Sequence, residues 1–219
     1  MPEQPRLLPR SAWLGLGFVS SLAGLAVLVS VIQSGHRQPA ALPVLGPVAD
    51  FTLTNQDGKI TTLADLTNHV WLADIIFTRC AGPCPRLTMQ MRSLQDKIPA
   101  GGSTRFVTLT TDPDYDSPEI MKRVGTHYGA DFNRWTFLTG TKTEIAGLAA
   151  GSLKLSAQPV KPEDQKDAAD LFIHTTIFVI VDKHAQLRGF FETGGDGVDW
   201  TNDVEPRIIA TAGQLESEP

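Results

Sequence analysis

A nearly unbroken apolar run, "HVWLADIIF" from His69 to Phe77, stops at a loop that holds the chain's only two cysteines, Cys80 and Cys84. Because it is apolar along its whole length and not at alternate positions, the run reads as a strand buried on both faces. A strand of that kind needs other elements above and below it, which favours an α/β architecture over a one-sided sheet.

The segments that follow supply those covering elements. Pro83 and Pro85 exclude a helix interior in the cysteine loop, whereas Leu87, Met91, Leu94 and Ile98 recur at helical spacing, so a helix is expected from about Cys84 with Pro85 in its first turn. "RFVTLTTD" predicts a second strand, followed by a helix with Ser117 as cap, Pro118 at the first position and Glu119 at the positive dipole end. "RWTFLTG" and "TEIAGLAAGSL" repeat the order, with Gly147 and Gly151 weakening the helix, and the polar residues from Lys154 to Asp170 read as a long loop.

Two hairpins frame these units. "DFTLTNQDGKITTL" alternates around an Asp-Gly turn, and "HTTIFVIVDKHAQLRGFFET" turns around Asp182 to Ala185. A last helix is expected near Asp203 to Leu215, with Pro206 in its first turn. The sum is a mixed sheet flanked by helices, with an N-terminal β-hairpin extension.

Ahead of this domain, Trp13 to Ile32 runs for twenty residues without a charge, long enough as a helix to cross about 30 Å of hydrocarbon. The expected organisation is a short cytoplasmic N-terminus over 1–12, a transmembrane anchor over 13–32, a Pro-rich linker over 33–46 and one domain over 47–219. Arg6 and Arg10 before the span favour an inside N-terminus, which places the domain outside the cytoplasm, where thiols tend to be oxidised. With 19 basic and 24 acidic residues and a net charge of −5, nothing here suits a nucleic-acid backbone.

The candidate chemistry centres on the cysteines. Cys84, at a helix start, is expected to be the more acidic thiol, since unpaired N–H groups and the dipole stabilise a thiolate. A pair with three intervening residues is open to three roles: a redox couple, two ligands for a metal, or an inert disulfide. Asp74, six residues before Cys80 on the buried strand, is a candidate proton relay, because burial raises a carboxyl's pKa. His174 stands at the start of an otherwise apolar strand. Asp112, Asp114 and Asp116 read as turn and helix-cap residues, since no bidentate Glu follows at calcium-loop spacing.

The order strand, cysteine loop, helix, strand, helix, then hairpin and helix resembles the thioredoxin fold. More closely, "FTLTNQDGKITTLADL", "FTRCAGPCPRLTMQM", "TTDPDYDSPEIMKR" and "HTTIFVIVDKHAQL" together resemble the Sco/SenC family, membrane-anchored copper proteins that assist assembly of the binuclear copper centre of cytochrome c oxidase. The resemblance implies that Cys80, Cys84 and His174 bind one copper ion. Two soft sulfurs and an imidazole suit Cu(I), whereas structural zinc wants a fourth ligand.

The implied partners are the copper-bearing oxidase subunit, a copper donor and a thiol reductant. The implied location is the bacterial inner membrane, with a periplasmic domain. The alternative is a thiol–disulfide oxidoreductase in which Cys80 attacks and Asp74 relays the proton.

Overall fold

A computed structural model describes residues 24–25, 41–155 and 176–219. The expected span Trp13–Ile32, apart from Gly24 and Leu25, lies outside the described residues, as do His174 and most of the loop expected from Lys154 to Asp170. Among the described residues no helix is long and apolar enough to cross a membrane. The chain divides into two units, residues 1–41 and residues 42–219, and the second carries the sheet.

Among the described residues eight strands make that sheet: β1 (Gly46–Pro47), β2 (Thr52–Asn55), β3 (Ile60–Thr62), β4 (Trp71–Ile76), β5 (Arg105–Thr110), β6 (Trp135–Thr139), β7 (Ile177–Val181) and β8 (Gln186–Glu192). Their spatial order is β1-β8-β7-β4-β5-β6-β2-β3. β4, β5 and β6 are parallel neighbours, while β7 lies antiparallel to β4, and β2 antiparallel to both β3 and β6. The run His69–Phe77 thus forms the central strand expected of it, buried at every position of β4.

Alternation along β4 divides the core. Leu72 and Ile76 face a cluster built with Leu87, Met91 and Leu94 of helix α1 (Cys84–Lys97), Met121 of α2 (Pro118–His127), and Ile208 and Leu215 of α4 (Glu205–Ser217). Trp71, Ala73 and Ile75 face the opposite cluster, with Ile145 of the short helix α3 (Lys142–Ala146) and Leu148 beyond it. Helices on both faces are what a strand without a polar edge demands.

The turn chemistry follows the sequence. Asn55 Oδ1 accepts from the N–H groups of Asp57 and Lys59, and Gly58 takes φ +73°, which closes the β2–β3 hairpin. Ser117 caps α2 by accepting from the Ile120 N–H. Past Ala146 the chain continues as a π-helical turn, Gly147–Ser152, where the glycines weaken the α geometry. A similar turn, Trp200–Val204, leads into α4, with Pro206 in its first turn as expected.

At one end of the sheet β1 pairs with β8, Gly46 facing Leu187. Arg188, 6% exposed, donates to the carbonyls of Leu42 and Pro43 at 2.8 and 3.0 Å and to the carboxylates of Asp182 and Glu218 at 2.7 and 2.8 Å. The opposite end of β4 carries the cysteine loop.

Candidate metal centre

Beyond Ile76 the strand is held to β5 by the Thr111 N–H, which donates to the Ile76 carbonyl at 2.8 Å. The chain then turns: the Cys80 N–H donates to the Phe77 carbonyl at 3.2 Å, and the Gly82 N–H points at the Cys80 sulfur at 3.4 Å. Helix α1 opens at Cys84, and Pro85, whose missing N–H would have had no partner there, occupies its first turn.

No disulfide joins the two cysteines. Their side chains are buried, Cys80 at 7% and Cys84 at 5% exposure, while Ala81 and Gly82 between them are exposed. The two buried thiols therefore flank an exposed stretch of backbone. Cys84 shares a hydrogen bond with Cys80, and this bond together with burial pushes the Cys84 thiol up, against the opposing pull of the Phe77 backbone. At Cys84 a partner sulfur and an apolar setting thus oppose the stabilisation that the helix terminus offers a thiolate.

Asp74 lies on the same face of β4 as Leu72 and Ile76, beneath α1, as alternation predicts. It is fully buried, and burial raises its carboxyl to about 7, with Thr108 opposing the shift. Among the described residues neither carboxylate oxygen has a hydrogen-bond partner of normal geometry, and the Thr108 hydroxyl, its register neighbour on β5, accepts from Trp135 Nε1 at 2.9 Å. The Asp74 charge also contributes to raising the Cys84 thiol, so the two groups sense one another electrostatically.

The structure thus brings Cys80, Cys84 and Asp74 together at one end of β4. His174 lies outside the described residues, and among those described no group of three His, Cys, Asp or Glu is arranged to hold a metal. Thr176, two residues later in sequence, is placed. Its carbonyl accepts from the Thr193 N–H and hydroxyl at 2.6 and 2.9 Å, and the Thr193 carbonyl accepts from Gln90 Nε2 of α1 at 3.0 Å.

Asp112 and Asp116, read from the sequence as turn and cap residues, do form a turn, but their contacts with the chain ahead of Cys80 were missed. The fully buried Asp116 accepts from the N–H and hydroxyl of Thr78 and from the hydroxyl of Thr110. Burial raises its pKa, against those hydrogen bonds from Thr110 and Thr78. Asp112 pairs with Arg79, whose guanidinium stacks over Tyr115 at 4.2 Å. The available signal was a threonine at the end of β5 and another two residues past the end of β4, ahead of an acidic turn.

A model of the SCO1/SenC family matches residues 45–208, which includes the whole sheet and both cysteines. The chain belongs to the SCO1/SenC family. It is 38% identical over 141 residues to the SCO1 protein homolog of Bacillus subtilis (strain 168), an alignment spanning 64% of this chain and 70% of that protein. Among solved structures it resembles BsSco, a Sco-family cytochrome c oxidase assembly protein described as containing a disulfide switch, with a TM-score of 0.67 and 31% identity over 81% of this chain and 99% of that one. The thioredoxin-like α/β fold expected from the sequence is therefore that of the SCO1/SenC family. The fold is also that of ScoI from Bradyrhizobium japonicum, solved with copper bound, at a TM-score of 0.59 and 21% identity over 77% of this chain and 99% of that one.

Proposed function

We propose that this SCO1/SenC protein is a copper carrier: Cys80, Cys84 and His174 take up one copper ion and pass it to an extracytoplasmic acceptor, the copper-bearing subunit of cytochrome c oxidase. The observation that carries this reading is the pair of buried, mutually hydrogen-bonded thiols on either side of the exposed Ala81–Gly82 backbone. Sulfurs already in contact need little rearrangement to close on one soft ion, and apolar surroundings suit the low charge of Cu(I) bound by thiolates. Cys84 must lose its proton to bind, so its raised pKa makes uptake favour higher pH.

His174 enters as the third ligand from the family resemblance; it stands two residues before Thr176, whose carbonyl accepts from Thr193. In this reading residues 1–12 lie in the cytoplasm, Trp13–Ile32 anchor the protein in the bacterial inner membrane, and the domain works in the periplasm; it begins at Leu42, ahead of the expected boundary at 47, because Arg188 and β8 hold residues 42–47. A copper donor and a thiol reductant serve it there.

His174→Ala is the deciding variant. Its Cu(I) affinity, measured by competition with a chromogenic chelator under reducing conditions, should fall by orders of magnitude. Unaltered binding removes His174 from the ligand set.

Asp74 favours a second reading, a thiol–disulfide oxidoreductase. The Cys80 thiolate would attack an acceptor disulfide and release one acceptor thiolate. Cys84, giving its proton to Asp74, would then break the mixed disulfide, leaving the acceptor a dithiol and Cys80–Cys84 a disulfide for the reductant to restore. Under that reading Asp74→Asn slows exchange while His174→Ala leaves it intact. The reverse pattern in stopped-flow exchange with a disulfide substrate rejects it.

A further inference from the structure

The turn between β5 and α2 touches the chain just ahead of Cys80 at three points. Asp116 accepts from Thr78, two residues before Cys80, through both the backbone N–H, at 3.1 Å, and the hydroxyl. Its second donor hydroxyl comes from Thr110 at the end of the neighbouring strand, and Thr110 Oγ1 also accepts from the Asp112 N–H at 2.9 Å. Asp112 and Tyr115 hold Arg79, the next residue along. The Asp116 N–H donates to the Asp112 carbonyl at 2.8 Å, so these contacts issue from one closed turn.

We propose that Asp116 is a positioning residue for the thiol pair: by fixing Thr78 against β5 it sets where Cys80 stands relative to Cys84, and so tunes both copper affinity and the dithiol–disulfide balance. The copper half of this proposal rests on the carrier reading above; the dithiol half does not.

The physical case is one of freedom removed. Between Ile76, the last residue of β4, and Cys84, the first of α1, the loop is seven residues long, and exposed at Arg79, Ala81 and Gly82. A loop of that kind would let the Cys80 sulfur wander, and ordering it on metal binding would cost conformational entropy. Asp116 orders its first third beforehand, from a carboxylate with no exposure to water. No apolar or amide replacement accepts from two hydroxyls and an N–H at once, which is why a carboxylate is needed at that spot.

Asp116→Asn and Thr78→Val test this from opposite sides of one contact. Each is expected to weaken Cu(I) binding about 10- to 100-fold, the usual effect of removing a group that orients a ligand. Each should also shift the metal-free Cys80–Cys84 equilibrium against a glutathione buffer. Made together, they should do no more than the stronger single change, because both break the same link.

A folded Thr78→Val protein, as judged by thermal melting, with unchanged copper affinity and unchanged dithiol equilibrium overturns the proposal, and so do fully additive effects. If the parent protein binds no copper, the carrier reading fails on its own, and the glutathione equilibrium still decides the role of Asp116.

Discussion

Asp74 is a carboxyl enclosed by protein with no group of normal geometry to bond among the described residues. Its folded pKa of about 7 stands above the ordinary 3.8, so across the interval between them the native state keeps a proton that the unfolded chain has released. Its stabilising effect is fully present below about pH 4 and is lost as pH rises through about 7. The gap corresponds to about 4 kcal/mol. Asp74→Asn should therefore flatten the fall in stability of the metal-free, reduced protein over that interval, and should stabilise it at about pH 8 far more than at about pH 5. Equal effects at both pH values in urea unfolding would assign the pH dependence to another group. The same carboxyl repels a Cys84 thiolate, so one buried charge links folding to thiol chemistry.

Among the elements, α1 matters most, since it begins with Cys84 and rests on α4. Glu205, in the first turn of α4 and 3% exposed in its side chain, accepts from Ser93 and from Lys97 Nζ at 2.6 Å. Glu205→Ala should lower stability by about 1–3 kcal/mol in denaturant titration, toward the lower figure because Lys97 is half exposed and finds water. An unchanged midpoint would make the contact incidental.

This helix was legible in the sequence because Pro83 and Pro85 punctuate its start and Leu87, Met91 and Leu94 mark its buried face. The hairpin at Asn55–Gly58 and the cap at Ser117 were legible because the contacts involved are local. The Asp116–Thr78 contact was not, because 38 residues separate its partners and only the pairing of β4 with β5 brings them together. The bond that Cys84 shares with Cys80 was hidden for a related reason. A helix start is visible in a sequence, whereas the sulfur that bonds to it belongs to a loop whose turn had yet to be fixed.

Taken whole, the domain is fastened at the end of β4 away from the cysteines. Arg188 gathers the carbonyls of Leu42 and Pro43, the Asp182 turn and Glu218 around one buried guanidinium. Arg188→Met strands Asp182, 6% exposed, although the N–H groups of His184 and Gln186 still reach it at 2.9 Å. Breaking a buried pair costs about 3–5 kcal/mol, and those two N–H groups set the expectation at the lower figure. Limited proteolysis should show residues 42–47 cut sooner in the variant, and equal cutting would mean that the β1–β8 pairing alone holds them.

Residues 42–47 and 216–219 meet near the first residue of β4, while Cys80 follows its last, and six strand residues separate the two by about 20 Å. The molecule consequently has a gripped end and a working end. Whatever pulls on the chain at Leu42, or on a cargo fused beyond Pro219, bears on the guanidinium knot and leaves the cysteine loop at the far end of the strand unloaded.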